Sequence, residues 1–83
     1  DHTVWYVRMQ ATALLGRIGR TEDTGRLEKR LSDAEWWVRY RAAKALVGLP
    51  MLTRPALDQI RSRLRDPYAY DVLGQAMAEA AIR

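Results

Sequence analysis

The residue types that usually carry catalysis or bind metals are scarce in this sequence. It contains one histidine, His2, near the N-terminus, and no cysteine. A metal centre or an activated nucleophile needs several such groups together, and neither a Cys/His set nor a His-Glu pair is present. Asp58, Asp66 and Asp71 are close in sequence, but they resemble surface or helix-capping residues. We therefore expect no enzymatic activity, no metal and no cofactor.

Aromatic side chains, in contrast, are grouped. The chain has three Trp, four Tyr and no Phe, and most of these rings stand at the start of three related segments. Trp, Tyr and Arg are enriched at protein-binding hot spots, so a large aromatic and basic surface would be a plausible binding face. The candidate partner-binding face consists of Trp5, Tyr6, Trp36, Trp37, Tyr40, Arg41 and Lys44. The alternative is that the rings cover junctions between segments, and Tyr6 and Trp37 lie nearer the apolar stripe than Trp36 and Tyr40.

The charge balance is mildly basic. Fourteen Lys and Arg face ten Asp and Glu, a net charge of +4, which favours acidic partners and permits nucleic acid. A second basic cluster, Arg54, Arg61, Arg63 and Arg65, could contact phosphate. Asp58 and Asp66 dilute it, so nucleic-acid binding is weakly supported.

An internal repeat organises these residues. Trp5-Tyr6-Val7-Arg8, followed by Ala11, Leu14, Leu15 and Ile18, returns 31 positions later as Trp36-Trp37-Val38-Arg39, followed by Ala42, Ala45, Leu46 and Leu49. The apolar spacing is that of one helix face, and Ala69, Leu73, Ala76, Met77 and Ala80 continue it. The pattern predicts three equivalent helices over about residues 4–18, 34–48 and 67–82. It also predicts that Leu46 and its neighbours on this stripe are buried.

Two shorter helices are predicted between the long ones, with Leu27 and Leu31 on the first and Leu57, Ile60 and Leu64 on the second. No stretch alternates with the period of a strand. The sequence therefore predicts an all-α chain of five helices in the order B-A-B-A-B, in which antiparallel pairs stack as an α-solenoid.

Helix boundaries are indicated by capping residues and by Pro and Gly. Ser32–Glu35 has the S-x-x-E pattern of a capping box for the middle long helix. Leu49-Pro50 should end that helix, because the residue before Pro resists the α region. Asp66-Pro67 has an N-cap acceptor followed by Pro at the first helical position. Gly16 and Gly19 are interpreted as the C-terminal end of the first helix.

The middle repeat has a recognisable signature. Leu31-x-Asp33, Val38-Arg39 and Ala42-Ala43-x-Ala45-Leu46 form the pattern L-x-D-x(4)-V-R-x-x-A-A-x-A-L. This resembles a HEAT-type repeat, in particular the short HEAT-like variety of bilin lyases and many bacterial scaffold proteins. The third repeat keeps Leu64-x-Asp66 and then departs from the pattern. The resemblance implies one domain over residues 1–83 containing two and a half HEAT-like repeats.

The resemblance also implies roles for individual residues. In HEAT-like families the matching Asp and Arg bond between neighbouring repeats, which implies that Arg8 or Arg39 reaches Asp33 or Asp66. B helices line the concave face of such solenoids, where partners dock. HEAT-like hydroxylases bind iron through His-Glu motifs, which this chain lacks, so the resemblance does not extend to them.

Three functions follow as hypotheses. The leading one is a protein-interaction or scaffold module that binds a protein partner or another segment of its parent chain. The second is a nucleic-acid-binding solenoid, and the third is an enzyme subunit resembling bilin lyases. No apolar run has the length of a membrane span, and we expect a cytoplasmic location.

The ends of the chain give a further expectation. The sequence lacks an initiator Met and opens close to the apolar run of a helix, so we interpret it as a fragment of a longer protein. The first B helix has no A helix before it, and the last B helix is apolar almost all round. Because solenoids need polar outer faces at their ends, we expect an exposed apolar patch at one end and self-association through it.

Overall fold

The computed structural model describes residues 4–18 and 23–82, with the backbone alone for Leu15, Ile18 and Ile82. In these residues there are five helices and no strand, which confirms the predicted all-α class. The helices are α1 (Trp5–Ile18), α2 (Thr24–Arg30), α3 (Trp36–Gly48), α4 (Arg54–Arg63) and α5 (Pro67–Ile82). The interpretations of His2 and Gly19 concern residues outside the described ranges.

The three long helices lie side by side, with α3 in the middle. It contacts α1 on one flank and α5 on the other, while α2 packs against α3 and α4 packs against α5. This is the predicted solenoid arrangement, in which one layer consists of α1, α3 and α5 and the other of α2 and α4. The middle helix α3 is therefore shielded on three sides.

The core lies between the two layers. Its fully buried large side chains include Leu27 and Leu31 from the α2 region, Leu46 from α3 and Leu73 from α5. Val38, Ala42 and Leu49 are buried as the periodicity predicted. Ala45, predicted to be buried as well, is only partly buried, since it also lines the groove between α1 and α3.

The helix boundaries at Pro50 and Pro67 agree with the sequence signals. The α3 helix ends at Gly48, followed by Leu49 in an extended conformation with ψ of 122°. The α5 helix begins at Pro67, and the Asp66 Oδ1 atom accepts a hydrogen bond from the Tyr68 amide at 2.9 Å. Pro50 and Pro67 thus act at the ends where their missing N–H and fixed φ predict.

The predicted capping box before α3 is wrong. The helix begins at Trp36 with Glu35 as its N-cap, and no side chain caps it. Ser32 lies three residues before that N-cap, too early to occupy the box. The Asp33 carboxylate instead accepts a hydrogen bond from the Glu35 amide at 3.0 Å, an Asx-type turn that leads into the helix.

One helix cap was missed by the sequence analysis. The Thr53 Oγ1 atom accepts a hydrogen bond from the Ala56 amide at 3.3 Å and so caps α4. The signal was present, because Thr53 precedes Pro55 at the second helical position.

Gly16 lies in the last turn of α1, and the helix end at Ile18 falls between Gly16 and Gly19 as the sequence interpretation had it. A Cβ atom on Gly16 would stand 2.5 Å from the Ala45 Cβ and 3.2 Å from the Ala45 Cα. The missing side chain therefore lets the backbones of α1 and α3 approach closely. Gly16 is a packing residue at the contact between repeats.

Truncation of the central leucine tests the core. Leu46→Ala should lower the free energy of unfolding by about 2–5 kcal/mol, the range for a buried leucine that leaves a cavity. Urea denaturation followed by circular dichroism measures this. Leu14→Ala is the matched control, since Leu14 is half-exposed on α1, and it should change the free energy by much less. Equal effects of the two substitutions would contradict the packing described above.

A second test concerns the α1–α3 contact. Gly16→Ala should destabilise the chain by about 1–3 kcal/mol through overpacking against Ala45, although alanine favours a helix more than glycine does. Ala45→Gly in the same chain should restore part of the loss, because it removes the clashing methyl group. A stabilising Gly16→Ala, or no coupling between the two substitutions in urea denaturation, would show that the helices can move apart freely.

Candidate functional site

A series of side chains follows the exposed side of α3 at the spacing of one helical turn. Trp36 and Tyr40 stack with ring centroids 5.0 Å apart and planes inclined by 8°. The Lys44 Nζ atom lies 5.5 Å from the centroid of Tyr40, within the range of a cation–π contact. Trp37 meets Trp36 edge to face at 4.9 Å. The aromatic rings predicted on α3 therefore contact one another in series, and the ammonium group of Lys44 stands at the end of the series.

The rings at the start of α1 are arranged similarly. Trp5 and Tyr6 meet edge to face with centroids 5.8 Å apart. The position of Tyr6 and Trp37 nearer the apolar stripe does not make them the more buried rings. Tyr6 is 52% exposed against 37% for Trp5, and Trp37 is 50% exposed against 42% for Trp36. Two aromatic pairs are thus accessible to a partner.

A groove of about 640 Å³ runs along the surface where α1 meets α3. Four of its lining residues are the small Ala13, Gly16, Ala45 and Gly48, so its walls are low. Among the residues that the structure describes, Gln10, Arg17, Arg41 and Lys44 complete the lining, and none of them is a carboxylate. Within residues 4–18 and 23–82, no Asp or Glu forms an ion pair with the last three of these side chains. The described part of the groove therefore has a positive potential, and Lys44 also lines a neighbouring pocket that contains Glu79.

Arg17 was not among the predicted site residues. The signal was its spacing, since Gln10, Ala13 and Arg17 follow one face of α1 at three- and four-residue intervals. The sequence analysis did not relate this face of α1 to Arg41, because the distance between the two helices cannot be read from the spacing within one helix. The Gly16–Ala45 contact brings Arg17 to the same groove as Arg41 and Lys44.

The opposite flank of α3 carries two carboxylates. The Tyr40 hydroxyl donates to Glu79 Oε1 on α5 at 3.3 Å, and the Gln75 amide donates to Glu79 Oε2 at the same distance. Asp71 lines a smaller pocket with Trp36, Arg39 and Tyr68. The face formed by the three B helices is therefore basic towards α1 and of mixed charge towards α5, with the Trp36–Tyr40 stack between.

The Asp–Arg contact implied by the HEAT resemblance is present between α1 and the turn before α3. Arg8 binds Asp33 in a bidentate manner, with Nε–Oδ2 at 2.7 Å and Nη2–Oδ1 at 3.0 Å. Burial alone would raise the pKa of Asp33. The hydrogen bonds from Arg8 and the Glu35 amide, with the charges of Arg8 and Arg30, outweigh this and hold the pKa below its ordinary value. The hydrogen bond to Asp33 in turn raises the pKa of Arg8.

The equivalent contact between Arg39 and Asp66 does not form. The Arg39 Nη1 atom donates to the carbonyl oxygens of Asp33 at 2.8 Å and Ala34 at 3.2 Å, and its guanidinium lies 5.6 Å from the Tyr68 ring centroid. Three residues, 32–34, separate Leu31 from the N-cap of α3, whereas residue 65 alone separates Leu64 from Asp66. The shorter connection places Asp66 at the N-cap of α5, where it binds the Tyr68 amide.

The second basic cluster does not act as a single patch. Arg61 donates from Nε to the Tyr70 carbonyl at 3.0 Å, and its guanidinium lies 3.8 Å from that ring's centroid, over Gly74. Arg63 pairs with Glu28 at 3.3 Å, and Arg54 lies 3.8 Å from Asp58. Three of the four arginines in this cluster therefore make contacts within the chain, which weakens the hypothesis that the cluster binds phosphate.

Two further observations apply to the part of the chain that the structure describes. No three histidine, aspartate or glutamate side chains there lie close enough to hold a metal ion. None of its helices combines the length and apolar character needed to traverse a bilayer.

The comparison with known families agrees with this geometry. The family model for HEAT repeats matches residues 1–81, and the chain therefore belongs to the HEAT-repeat family. No curated protein and no solved structure gives a significant match. Membership of this family explains the stacked helix pairs. It does not identify a ligand for the aromatic face.

The Arg8–Asp33 contact generates a pH prediction. Because the pKa of Asp33 is lowered by folding, its contribution to stability is present above the ordinary Asp value of about 3.9 and is lost as the pH falls through the folded-state pKa. Asp33→Asn keeps an acceptor for the Glu35 amide but removes the charge. We expect the variant to be less stable at neutral pH and to depend less on pH in the acid range.

Urea denaturation at a series of pH values from neutral to about 2 measures this difference. Asp58→Asn is the matched control, because Asp58 is exposed and only 3.8 Å from the equally exposed Arg54, and it should leave the acid dependence nearly unchanged. If wild type and Asp33→Asn lose stability in parallel, the carboxylate does not tie α1 to the turn before α3.

Proposed function

We propose that this chain is a protein-interaction module that binds an acidic segment of a partner in the groove between α1 and α3. HEAT repeats generally mediate protein–protein interaction, and the proposal names the surface and the partner's charge. The observation that carries it is the convergence of Arg17, Arg41 and Lys44 on one groove, where none of the described lining residues is a carboxylate. Carboxylates of a partner would supply the missing counter-charges.

The rings beside the groove support a protein partner. Trp37 and Tyr6 are half-exposed, and each is held by its edge-to-face neighbour. A held ring loses little rotamer freedom when a partner covers it, so more of the burial energy appears as affinity. Side chains of this type, flanked by arginine, are the usual anchors of protein interfaces.

The same rings argue against nucleic acid as the main ligand. Single strands bind by stacking bases on free aromatic faces, but one face of Trp36 is occupied by Tyr40. The Lys44 ammonium stands over the Tyr40 ring. Glu79 and Asp71 on the neighbouring flank would repel a phosphate backbone that crossed α3 towards α5. An acidic peptide that stays on the α1 side avoids these groups.

A charge-reversal experiment tests the proposal. Arg41→Glu with Lys44→Glu should weaken binding of a fluorescently labelled Asp/Glu-rich peptide by about tenfold or more. Both substitutions replace a positive side chain that attracts the peptide's carboxylates with a negative one that repels them. Arg54→Glu with Arg65→Glu gives the same net charge away from the groove and should change the affinity by less than about twofold. Fluorescence anisotropy at several salt concentrations provides the dissociation constants.

Single-stranded DNA and RNA of matched charge provide the comparison ligands. The proposal expects the peptide to bind more tightly than either nucleic acid at physiological salt. Tighter binding of nucleic acid, with the steep salt dependence of phosphate contacts, would favour the second function instead. Equal losses in the two double variants would show that only net charge matters.

A further inference from the structure

An apolar pocket of about 260 Å³ lies where the C-terminal ends of α3 and α5 meet the N-terminal end of α4. The described part of its lining is apolar except for Arg54, and the apolar members are Val47, Leu52, Leu57, Met77, Ala80 and Ala81. The Arg54 guanidinium stands 3.8 Å from the Asp58 carboxylate, so its charge has a counter-charge nearby. The pocket therefore offers a ligand mainly apolar contact.

The internal repeat explains why this space is open. Ala80 stands 31 positions after Leu49, which is 2% exposed and belongs to the core. Alanine has a much shorter side chain than leucine, so the equivalent position on α5 fills less of the space beside it. Val47 and Leu52, which line this space, are only partly buried. The pocket is smaller than the about 300–1,000 Å³ of small-molecule sites, and it suits one side chain of a partner.

The pocket is continuous with the groove between α1 and α3. Lys44 and Gly48 line both that groove and an intervening space of about 190 Å³. Val47 and Ala80 line both the intervening space and the apolar pocket. In the described part of the chain, a Cβ atom added to Gly48 would meet no neighbouring heavy atom within 4 Å. A peptide backbone can therefore cross α3 at Gly48 from the groove to the pocket.

The charges along this path favour a definite order of side chains. Arg41 and Lys44 stand on the groove side. Glu79 lines the intervening space and accepts hydrogen bonds from Tyr40 and Gln75. A carboxylate of the partner is attracted at the first place and repelled at the second. The acidic residues therefore stay on the α1 side, and the residues that cross α3 are uncharged.

We infer that the pocket binds one apolar side chain of the acidic segment. The partner's motif is then a run of acidic residues, a short uncharged link and one leucine-sized apolar residue. The inference rests on the proposed function, because the acidic run has to lie in the α1–α3 groove. Lys44 and Ala80 belong to adjacent helices, whose axes in packed pairs lie about 8–10 Å apart. Since an extended chain advances about 3.3 Å per residue, the apolar residue follows about three residues from the acidic run.

Four fluorescently labelled peptides of equal length test the inference by fluorescence anisotropy. All contain the same acidic run. The first has no leucine and carries serine instead, the second and third have a leucine about three residues after or before the run, and the fourth has the leucine inside the run. Either the second or the third should bind at least about tenfold more tightly than the serine peptide, because a leucine side chain becomes buried. The fourth should bind like the serine peptide, although its composition equals that of the second and third.

Substitutions in the pocket should remove this gain. Ala80→Leu fills the space with the protein's own side chain. Ala81→Gln is the second variant, which places a polar side chain at an exposed position of the rim and so does not depend on repacking of the core. Ala78→Leu and Ala78→Gln are the matched controls, since Ala78 is exposed on the same helix, and they should keep the gain. All four variants should bind the serine peptide within about twofold of the wild type, and urea denaturation checks that each is folded.

The outcomes separate this inference from the proposed function. If the serine peptide binds and leucine adds nothing on either side of the run, the inference is wrong and the proposed function stands. If the serine peptide does not bind, or if Arg41→Glu with Lys44→Glu does not weaken it, the proposed function is wrong and the inference falls with it. A gain that survives both Ala80→Leu and Ala81→Gln would overturn the inference. So would a dimer in light scattering that Ala80→Leu abolishes, because a second copy would then occupy the pocket.

Discussion

The close approach of α1 to α3 is the constraint on which the rest of the structure depends. Gly16 lies against Ala45 with no room for another carbon atom, and the Arg8–Asp33 pair joins α1 to the turn before α3 at the other end of the contact. A helix fixed at two points along its length cannot rotate or slide. Every surface that α1 contributes to takes its geometry from these two contacts.

The consequence is a division of α1 into three sides with different roles. One side packs on α3, where Thr12 is fully buried and donates its hydroxyl hydrogen to the Arg8 carbonyl at 2.7 Å. The second carries Ala13 and Arg17 to the basic groove. The third presents Val7 and Leu14 to solvent on the side of α2. The charged side chains that line the described part of the groove are positive, so the ligand proposed for the groove is acidic.

Much of the fold could be predicted because local periodicity decides it. The recurrence of Val38, Ala42 and Leu46 at helical spacing predicted the buried stripe of α3, and Pro50 and Pro67 marked boundaries that the structure has. The site was predicted less completely. The aromatic residues were identified from their types, but the larger exposure of Tyr6 and Trp37 depends on which flank each neighbouring helix covers. Arg17 escaped notice because its partners in the groove belong to another helix.

The sequence by itself determined the helices, their order and the apolar stripes, since these follow from side-chain spacing along a single segment. Only the tertiary structure decided which stripe is covered and which charge is paired. Arg8 and Arg39 occupy the same place in the repeat, yet Arg8 binds the Asp33 carboxylate and Arg39 binds carbonyl oxygens. The difference comes from a connection two residues shorter before α5 than before α3. Which acceptor each arginine binds depends on the distance between two segments of the chain. The spacing of residues within one segment does not determine that distance.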